Sequence, residues 1–424
     1  MSTVSTLDDV QRKRSWKMPI VYGLATLLLA FFAATAKGDV TLRLNDKAQA
    51  MSIPDLVFAG SGVLWVLFIL VAIAAAWSIA MTAKNSTPNR IIDIIMMAIA
   101  GISTVLAFLF YAGSGSTGVV TLTSTLVSTV AISTPLIFGA LSGVVSEHVG
   151  VVNIAIEGDL LVGAFAGVMA ASFFNTPYAG LIVAPIAGAL LGSLLALFSV
   201  RYGVDQIIVG VVLNVLALGL TTFFYGTLMK VDPASLNTNK FSLTPIKIPG
   251  LAEIPIIGPV FFNQTILVYA MYAVVVVLTI FLYRSRWGLR LRACGEHPRA
   301  ADTVGINVNR TRSRNTILGS ALAGLGGAFF TIGSGLAFTD NISAGNGYIA
   351  LAAMILGKWH PLGATAAAVM FGFAQAVARL LPNIAPAIPS DLVSMIPYAV
   401  TIVAVAGFVG KSKAPAAENI PYVK

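Results

Sequence analysis

Arg284-Ser-Arg-Trp-Gly-Leu-Arg-Leu-Arg-Ala-Cys-Gly-Glu-His-Pro-Arg-Ala-Ala-Asp-Thr-Val-Gly-Ile-Asn-Val-Asn-Arg-Thr-Arg-Ser-Arg314 is the longest polar, basic island in an otherwise apolar chain, with hydrophobic runs on both sides. Lys and Arg beside membrane spans resist translocation, so a loop holding eight arginines belongs in the cytoplasm. Its middle, Glu296 to Gly305, is less basic and reads as a short surface helix. Pro298 suits a first turn, where its missing N–H has no partner to lose. Ala300, Ala301 and Asp302 continue the helix, and Gly305 is placed to end it. Such a helix is either a docking element for a soluble partner or part of an ordinary solvated loop, since basic loops between spans are common.

Working outward, 57% of the 424 residues are hydrophobic and only 10% are charged, with a mean hydropathy of +0.88. Soluble domains carry about 25% charged residues, so this is an integral membrane protein. The expected fold is an all-α polytopic bundle of about 10–12 transmembrane helices with both termini cytoplasmic. A span needs about 20 apolar residues. That length places spans near 18–36, 56–82, 91–112, 125–145, 154–172, 179–200, 205–229, 263–283, 315–337, 342–357, 361–381 and 391–410. The run at 342–357 is short and Gly-flanked. The first span, preceded by a polar stretch around Arg12 to Lys17 and lacking a small-residue cleavage site, reads as a retained anchor.

With the N-terminus inside, 19 of the 26 Lys and Arg fall on the inner side, including Lys84, Arg90, Arg201, Lys358, Lys411, Lys413 and Lys424. Lys37, Arg43, Lys47, Lys230, Lys240, Lys247 and Arg379 fall outside. That bias sets the orientation and explains the net charge of +9 without nucleic acid. The organisation expected is a cytoplasmic segment 1–17, extra N-terminal helices in 18–123, a bundle core in 124–410 with its cytoplasmic loop at 284–314, and a cytoplasmic tail 411–424. No segment is long enough for a soluble catalytic domain, so no enzyme activity is expected.

Ionisable groups within spans are costly and face a cavity or a partner. Asn153 and Glu157, four apart, lie on one face of a helix start. They are candidates either for lining or gating a translocation path, or for a helix cap with an interhelical hydrogen bond. Asn214 lies deepest; its amide suits a polar uncharged ligand or interhelical bonding. Asp340 and Asn341 lie near the outer face. Small residues at four-residue spacing (Gly163 and Gly167, Gly188 and Gly192, Gly319, Ala323 and Gly327) predict close helix packing. Gly150–Gly163 and Gly345–Gly363 resemble one another weakly, as two halves of a duplication would.

Several chemistries are excluded. Cys294 is the single cysteine, so there is no internal disulfide and no Cys-cluster metal site. His148, His297 and His360 have no metal-ligand spacing. Gly410-Lys411-Ser412 resembles the end of a phosphate-binding loop, but the earlier glycine is replaced by Val405. The chain itself is therefore expected to bind no cofactor.

Four stretches together resemble one family: Ile132-Ser-Thr-Pro-Leu136, Gly150-Val-Val-Asn-Ile-Ala-Ile-Glu-Gly158, Gly288 to Asn307, and Gly347-Tyr-Ile-Ala-Leu-Ala-Ala-Met-Ile-Leu-Gly357 followed by Trp359 and Pro361-Leu-Gly363. Ser390–Tyr398 and Pro421-Tyr422 fit as well, so the likeness runs from about Ser124 to Tyr422. It is to the permeases of bacterial ATP-binding-cassette importers for nucleosides, within the branched-chain amino acid and ribose permease family. Cys294 and His297 depart from it, standing where a small aliphatic residue and Asn are usual. The resemblance implies that Glu296, His297, Pro298, Arg299, Ala301, Asp302 and Gly305 form a coupling helix seated on an ATP-binding subunit, which hydrolyses the ATP. It further implies a second, related permease chain, an extracytoplasmic substrate-binding lipoprotein, and residence in the bacterial inner membrane. Asn153, Glu157, Asn214 and Asn341 would then be candidates for the path. A permease for ribose-like sugars or branched-chain amino acids, or a stand-alone secondary transporter, is the alternative.

Overall fold

The computed structural model describes residues 16–44, 54–84, 90–115, 119–238, 240–384 and 414–423, with isolated positions between 395 and 401. The expected span at 391–410, most of the 1–17 segment, and Lys47, Lys411, Lys413 and Lys424 lie outside the described residues. The chain forms two compact units. One comprises residues 1–46, 52–122 and 379–394, the other 47–51, 123–378 and 395–424.

The first unit holds α1 (Lys17–Thr35), β1 (Asp39–Arg43), β2 (Leu56–Ala59), α2 (Gly60–Ala83), α3 (Arg90–Gly113) and β3 (Val120–Thr121). The strands form a small cap ordered β2-β1-β3, with Val40 opposite Phe58 and Leu42 opposite Val120. Leu29 and Phe32 of α1, Leu64 and Val71 of α2, and Ala107 and Phe110 of α3 form its core. Phe32 stacks on Tyr111 at 4.2 Å, and Arg43 forks onto Asp55 at 2.8 and 2.9 Å.

The second unit begins with α4 (Leu122–His148), α5 (Ile156–Phe173), and α6 (Pro177–Ala196) extended by a π turn, Leu197–Arg201. α7 (Gln206–Phe224) follows with its own π turn, Tyr225–Met229, then α8 (Pro233–Leu236), β4 (Ile246–Lys247), α9 (Ile257–Phe261) and β5 (Asn263–Gln264). The rest is α10 (Ile266–Arg284), α11 (Arg286–Glu296), α12 (Pro298–Thr303), α13 (Val308–Gly327), α14 (Asn346–Leu356) and α15 (Pro361–Ile384). β4 and β5 pair antiparallel in the segment 230–263, which holds this short hairpin and two helical turns.

Among the described residues, nine helices are long and apolar enough to cross a membrane. They sort by a membrane protein's inverted rule. In α4 and α5, 83% and 78% of the spanning window is buried, against about a third in α2, α6 and α7. The buried pair also carries the polar residues, Glu147, Asn153's neighbours Glu157 and Asp159, and five buried Ser and Thr on α4 between Thr129 and Ser146. Helices that are apolar all round face lipid, where a polar side chain would find no partner. α4 and α5 are therefore the axis of the unit.

α5, α6 and α13 meet through glycine. A Cβ on Gly163 would lie 2.1 Å from the Gly324 carbonyl oxygen, and one on Gly188 would lie 2.3 Å from the Ser320 carbonyl. Backbones this close exclude even a methyl group, which is how helices associate where lipid removes the hydrophobic drive. Gly163→Ala should therefore destabilise the purified protein by about 1–3 kcal/mol, the usual cost of overpacking. Thermal unfolding in detergent measures it; an unchanged midpoint would show that the helices separate freely.

Three expectations change. The basic stretch is not one loop with a single small helix: α11 occupies Arg286–Glu296, and α13 begins at Val308 rather than near 315. Gly288, Leu291, Cys294 and Gly295 form α11's buried face, while Arg286 and Arg290 are exposed; the density of charge hid this amphipathic period. Ser285 starts the helix by accepting from the Gly288 N–H at 3.1 Å. Second, the run expected to span 315–337 leaves helical form after Phe330, at the Gly- and Ser-rich segment 331–345. Third, 342–357 contains only the 11-residue α14, about 16 Å at 1.5 Å per residue and half of a bilayer core. The expected small helix does form, as α12, and Gly305 ends it at φ +86°.

Candidate functional site

Between α4 and α5 the chain runs non-helically from Val149 to Ala155, and all but Ile154 of this run is buried. Buried backbone needs partners, and α7 supplies them. Gln206 Oε1 accepts from the Val152 N–H at 2.7 Å. Asn214 accepts from the Gly158 N–H at 2.8 Å and donates to the Ile154 carbonyl at 2.8 Å. Eight residues of helix separate Gln206 and Asn214, so the run follows α7 inward for about 12 Å. Glu157 thus lies inside the unit, about two turns of α7 beyond Gln206.

There it meets α14. Oε1 of Glu157 accepts from Ser343 Oγ at 2.6 Å and from the Gly345 N–H at 2.8 Å; Oε2 accepts from the Gly347 N–H at 2.6 Å. A carboxylate at a helix N-terminus satisfies orphan donors and opposes the helix dipole. Gly347 makes the approach possible, since a Cβ there would lie 2.4 Å from the Glu157 Cα. The far end of α14 is held likewise: Trp359 Nε1 donates to Glu147 Oε2 at 2.5 Å, from a turn in which Lys358 and Trp359 have positive φ. Two glutamates bracketing the non-helical run therefore pin a half-length helix at both ends. Of the weakly similar segments, 150–163 is a non-helical entry into α5, whereas 345–363 is α14 itself with the turn into α15, and they meet at Glu157.

The candidate path residues are partly brought together. Asn153 is fully buried; it donates to Ser142 Oγ at 3.2 Å and accepts from the Ala155 N–H at 3.1 Å. Asn214 also reaches Tyr348 Oη on α14, at 3.2 Å. Asn153, Glu157 and Asn214 thus hold the break in the helices together. Asn341 is exposed on the irregular segment, at φ +52°, next to Asp340, which accepts from Thr222 at 2.5 Å. A cavity of about 450 Å³ lies elsewhere, between α4, α9, α10 and α15. Its wall is almost wholly apolar, and Thr129 and Ser133 turn their hydroxyls to their own helix backbone. Such a wall cannot recognise a polar solute.

The second cluster is at one end of the unit, where α4 ends, α7 starts and α11–α13 meet. The exposed side of α12 carries Arg299, Ala300, Thr303 and Val304, the last an apolar side chain 75% exposed. Glu296, His297 and Gly305 are also exposed, Pro298 and Asp302 are partly buried, and Ala301 is buried beneath the helix. So Ala301 anchors and Arg299 presents. The C-terminal segment 414–423 packs beside them and buries Arg312, which is 1% exposed and donates to the carbonyls of Ile420 and Ala417 at 2.7 and 3.2 Å. Burial also pushes the Glu418 carboxyl up to about 6, against a hydrogen bond with Glu147 that pulls it down. Glu147, Ser343 and Arg312 were not singled out from the sequence, and Trp359 entered only among the residues of the family resemblance. The one available signal was an unlikely Glu or Arg at the edge of a span.

Residues 125–405 match the family described as "Branched-chain amino acid transport system / permease component". The chain is similar to the guanosine ABC transporter permease protein NupQ of Bacillus subtilis, 40% identical over 309 residues that cover 70% of this chain and 95% of that protein. It is similar to the nucleoside ABC transporter permease protein NupC of Lactococcus lactis, 39% identical over 302 residues, 69% of this chain and 94% of the other. The putative glucose ABC transporter permease protein TsgC13 of Haloferax volcanii is 32% identical over 59% of this chain and 75% of its own. No solved structure matches.

Proposed function

The chain belongs to the family of branched-chain amino acid transport system permease components, and we propose from that premise that it is one permease of an ATP-binding-cassette importer for nucleosides. It is a multi-pass membrane protein that transports rather than catalyses. The observation that carries the docking part of the reading is α12: a short helix with a buried underside, an exposed Arg299 and an exposed Val304, at the end of the unit where the basic residues gather. An ATP-binding subunit seated there hydrolyses the ATP and tilts the bundle between outward-open and inward-open states. A second, related permease completes the path. A substrate-binding lipoprotein delivers the nucleoside from outside, in the inner membrane of a bacterium.

The nucleoside reading rests on the guanosine and nucleoside permeases that are 40% and 39% identical to this chain. The glucose permease relative favours a sugar as the second reading. Cells lacking this chain should lose uptake of radiolabelled guanosine or uridine at least tenfold and keep sugar uptake. Loss of ribose or glucose uptake with normal nucleoside uptake would replace the first reading by the second. Transport that persists without any ATP-binding partner would indicate a secondary transporter and sink both.

A further inference from the structure

We propose that residues 414–423 are a strap that fixes α11 and α12 to the transmembrane helices, with Arg312 as its positioning residue, so that movement of the docking helix becomes movement of the bundle. This rests on the docking reading above.

The strap touches each element that such transmission needs. Ala417 donates its N–H to the Gly295 carbonyl at 2.8 Å, at the end of α11, and the Ala416 N–H reaches Glu296 Oε2 at 3.4 Å. Tyr422 lies against Asp302 and Arg299 of α12. Asn419 Nδ2 reaches Asp205 Oδ2 at 3.5 Å, where Asp205 caps the start of α7 by accepting from the Ile207 and Ile208 N–H groups. Glu418 lies beside Glu147, at the end of α4. One ten-residue segment thus joins α4, α7, α11 and α12.

Arg312, on α13, closes the assembly. Its fork spans the tail carbonyls of Ala417 and Ile420, and it also approaches the Cys294 carbonyl at 3.5 Å, in the last turn of α11. A guanidinium suits this place because it directs several donors at once in a fixed plane and complements the negative end of α11. Surrounding residues are cut to fit it. A Cβ on Gly150 would lie 2.7 Å from the guanidinium and 3.1 Å from the Ala417 carbonyl; one on Gly295 would lie 2.1 Å from the His148 carbonyl. A charge this deeply buried needs hydrogen bonds; its Nε has none, and the tail carbonyls of Ile420 and Ala417 supply the two shortest of those its terminal nitrogens make. A tail held only by surface contacts would need no buried arginine.

The test compares the full chain with a version ending at Lys413, and with Arg312→Lys, which keeps the cation but loses the fork. In the isolated detergent-purified chains, amide exchange in 286–303 should speed up at least tenfold on truncation and less in Arg312→Lys. In proteoliposomes with the ATP-binding and second permease subunits, the truncated chain should still capture the ATP-binding subunit, because the exposed face of α12 is intact. Nucleoside moved per ATP hydrolysed should fall at least tenfold, with Arg312→Lys between. Wild-type exchange rates, or a transport-to-hydrolysis ratio within twofold of wild type, would overturn the strap. If the wild-type chain itself does not capture the ATP-binding subunit, the docking reading is what fails, and the exchange rates alone decide whether the tail holds α11 and α12.

Discussion

Glu157→Ala should be among the most damaging single substitutions in this protein, costing about 3–5 kcal/mol, the scale seen when one partner of a buried charged network is removed. Three donors converge on that carboxylate: the Ser343 hydroxyl and the Gly345 and Gly347 N–H groups. Ser343 and Gly347 are buried and Gly345 is half-buried, and hydrogen bonds to a charged acceptor contribute about 1.5–3 kcal/mol each before any compensation. Alanine leaves α14 with an uncapped N-terminus inside the unit, so the half-helix should detach from α5. The expected result is a lower unfolding temperature in detergent, faster amide exchange across 343–350, and loss of uptake. Glu157→Gln keeps the shape and one acceptor while losing the charge at the helix end, and should lie between. If Glu157→Ala melted with the wild type, α14 would be held by packing alone, and the bonds to Glu157 would add no stability.

Reversing charge on the docking helix should act differently, on transport and not on folding. Arg299 is exposed on α12, where its described neighbour is the peripheral Tyr422 of the tail. Arg299→Glu should therefore insert and melt normally yet abolish ATP-driven uptake. A well-placed interface residue contributes 2 kcal/mol or more, about 30-fold in affinity for the ATP-binding subunit. Val304→Asp should act in the same way, since it puts a charge on the same face beside Arg299, where Val304 is 75% exposed. Glu296→Arg should abolish uptake too, but there the loss mixes docking with the Ala416 contact. Pull-down of the ATP-binding subunit with each variant separates the cases. Normal capture and normal uptake in Arg299→Glu would place docking elsewhere.

The expected spans coincide with helices where a long apolar run ends in polar residues, as at α1, α6, α7 and α10. They fail where the chain breaks a helix inside the unit. Thr331 to Gly345 is apolar enough to read as membrane, but its glycines, and the reciprocal bonds between Asn237 and the Phe338 backbone at 2.7 and 2.9 Å, keep it irregular. Those bonds come from residues about 100 positions away, which no window on the sequence contains.

What the amino-acid order determined by itself was the solvent of the protein, because that follows from the free energy of placing each residue in lipid or water. It also determined α12, whose Pro298 start and Gly305 stop are local. Only the tertiary structure decided that Glu157 is a helix cap deep in the unit, that α11 lies amphipathic under its arginines, and that Arg312 is buried by the tail. Each of those depends on a partner remote in the chain, and a carboxylate or guanidinium does not reveal its role until the donors and carbonyls around it are in place.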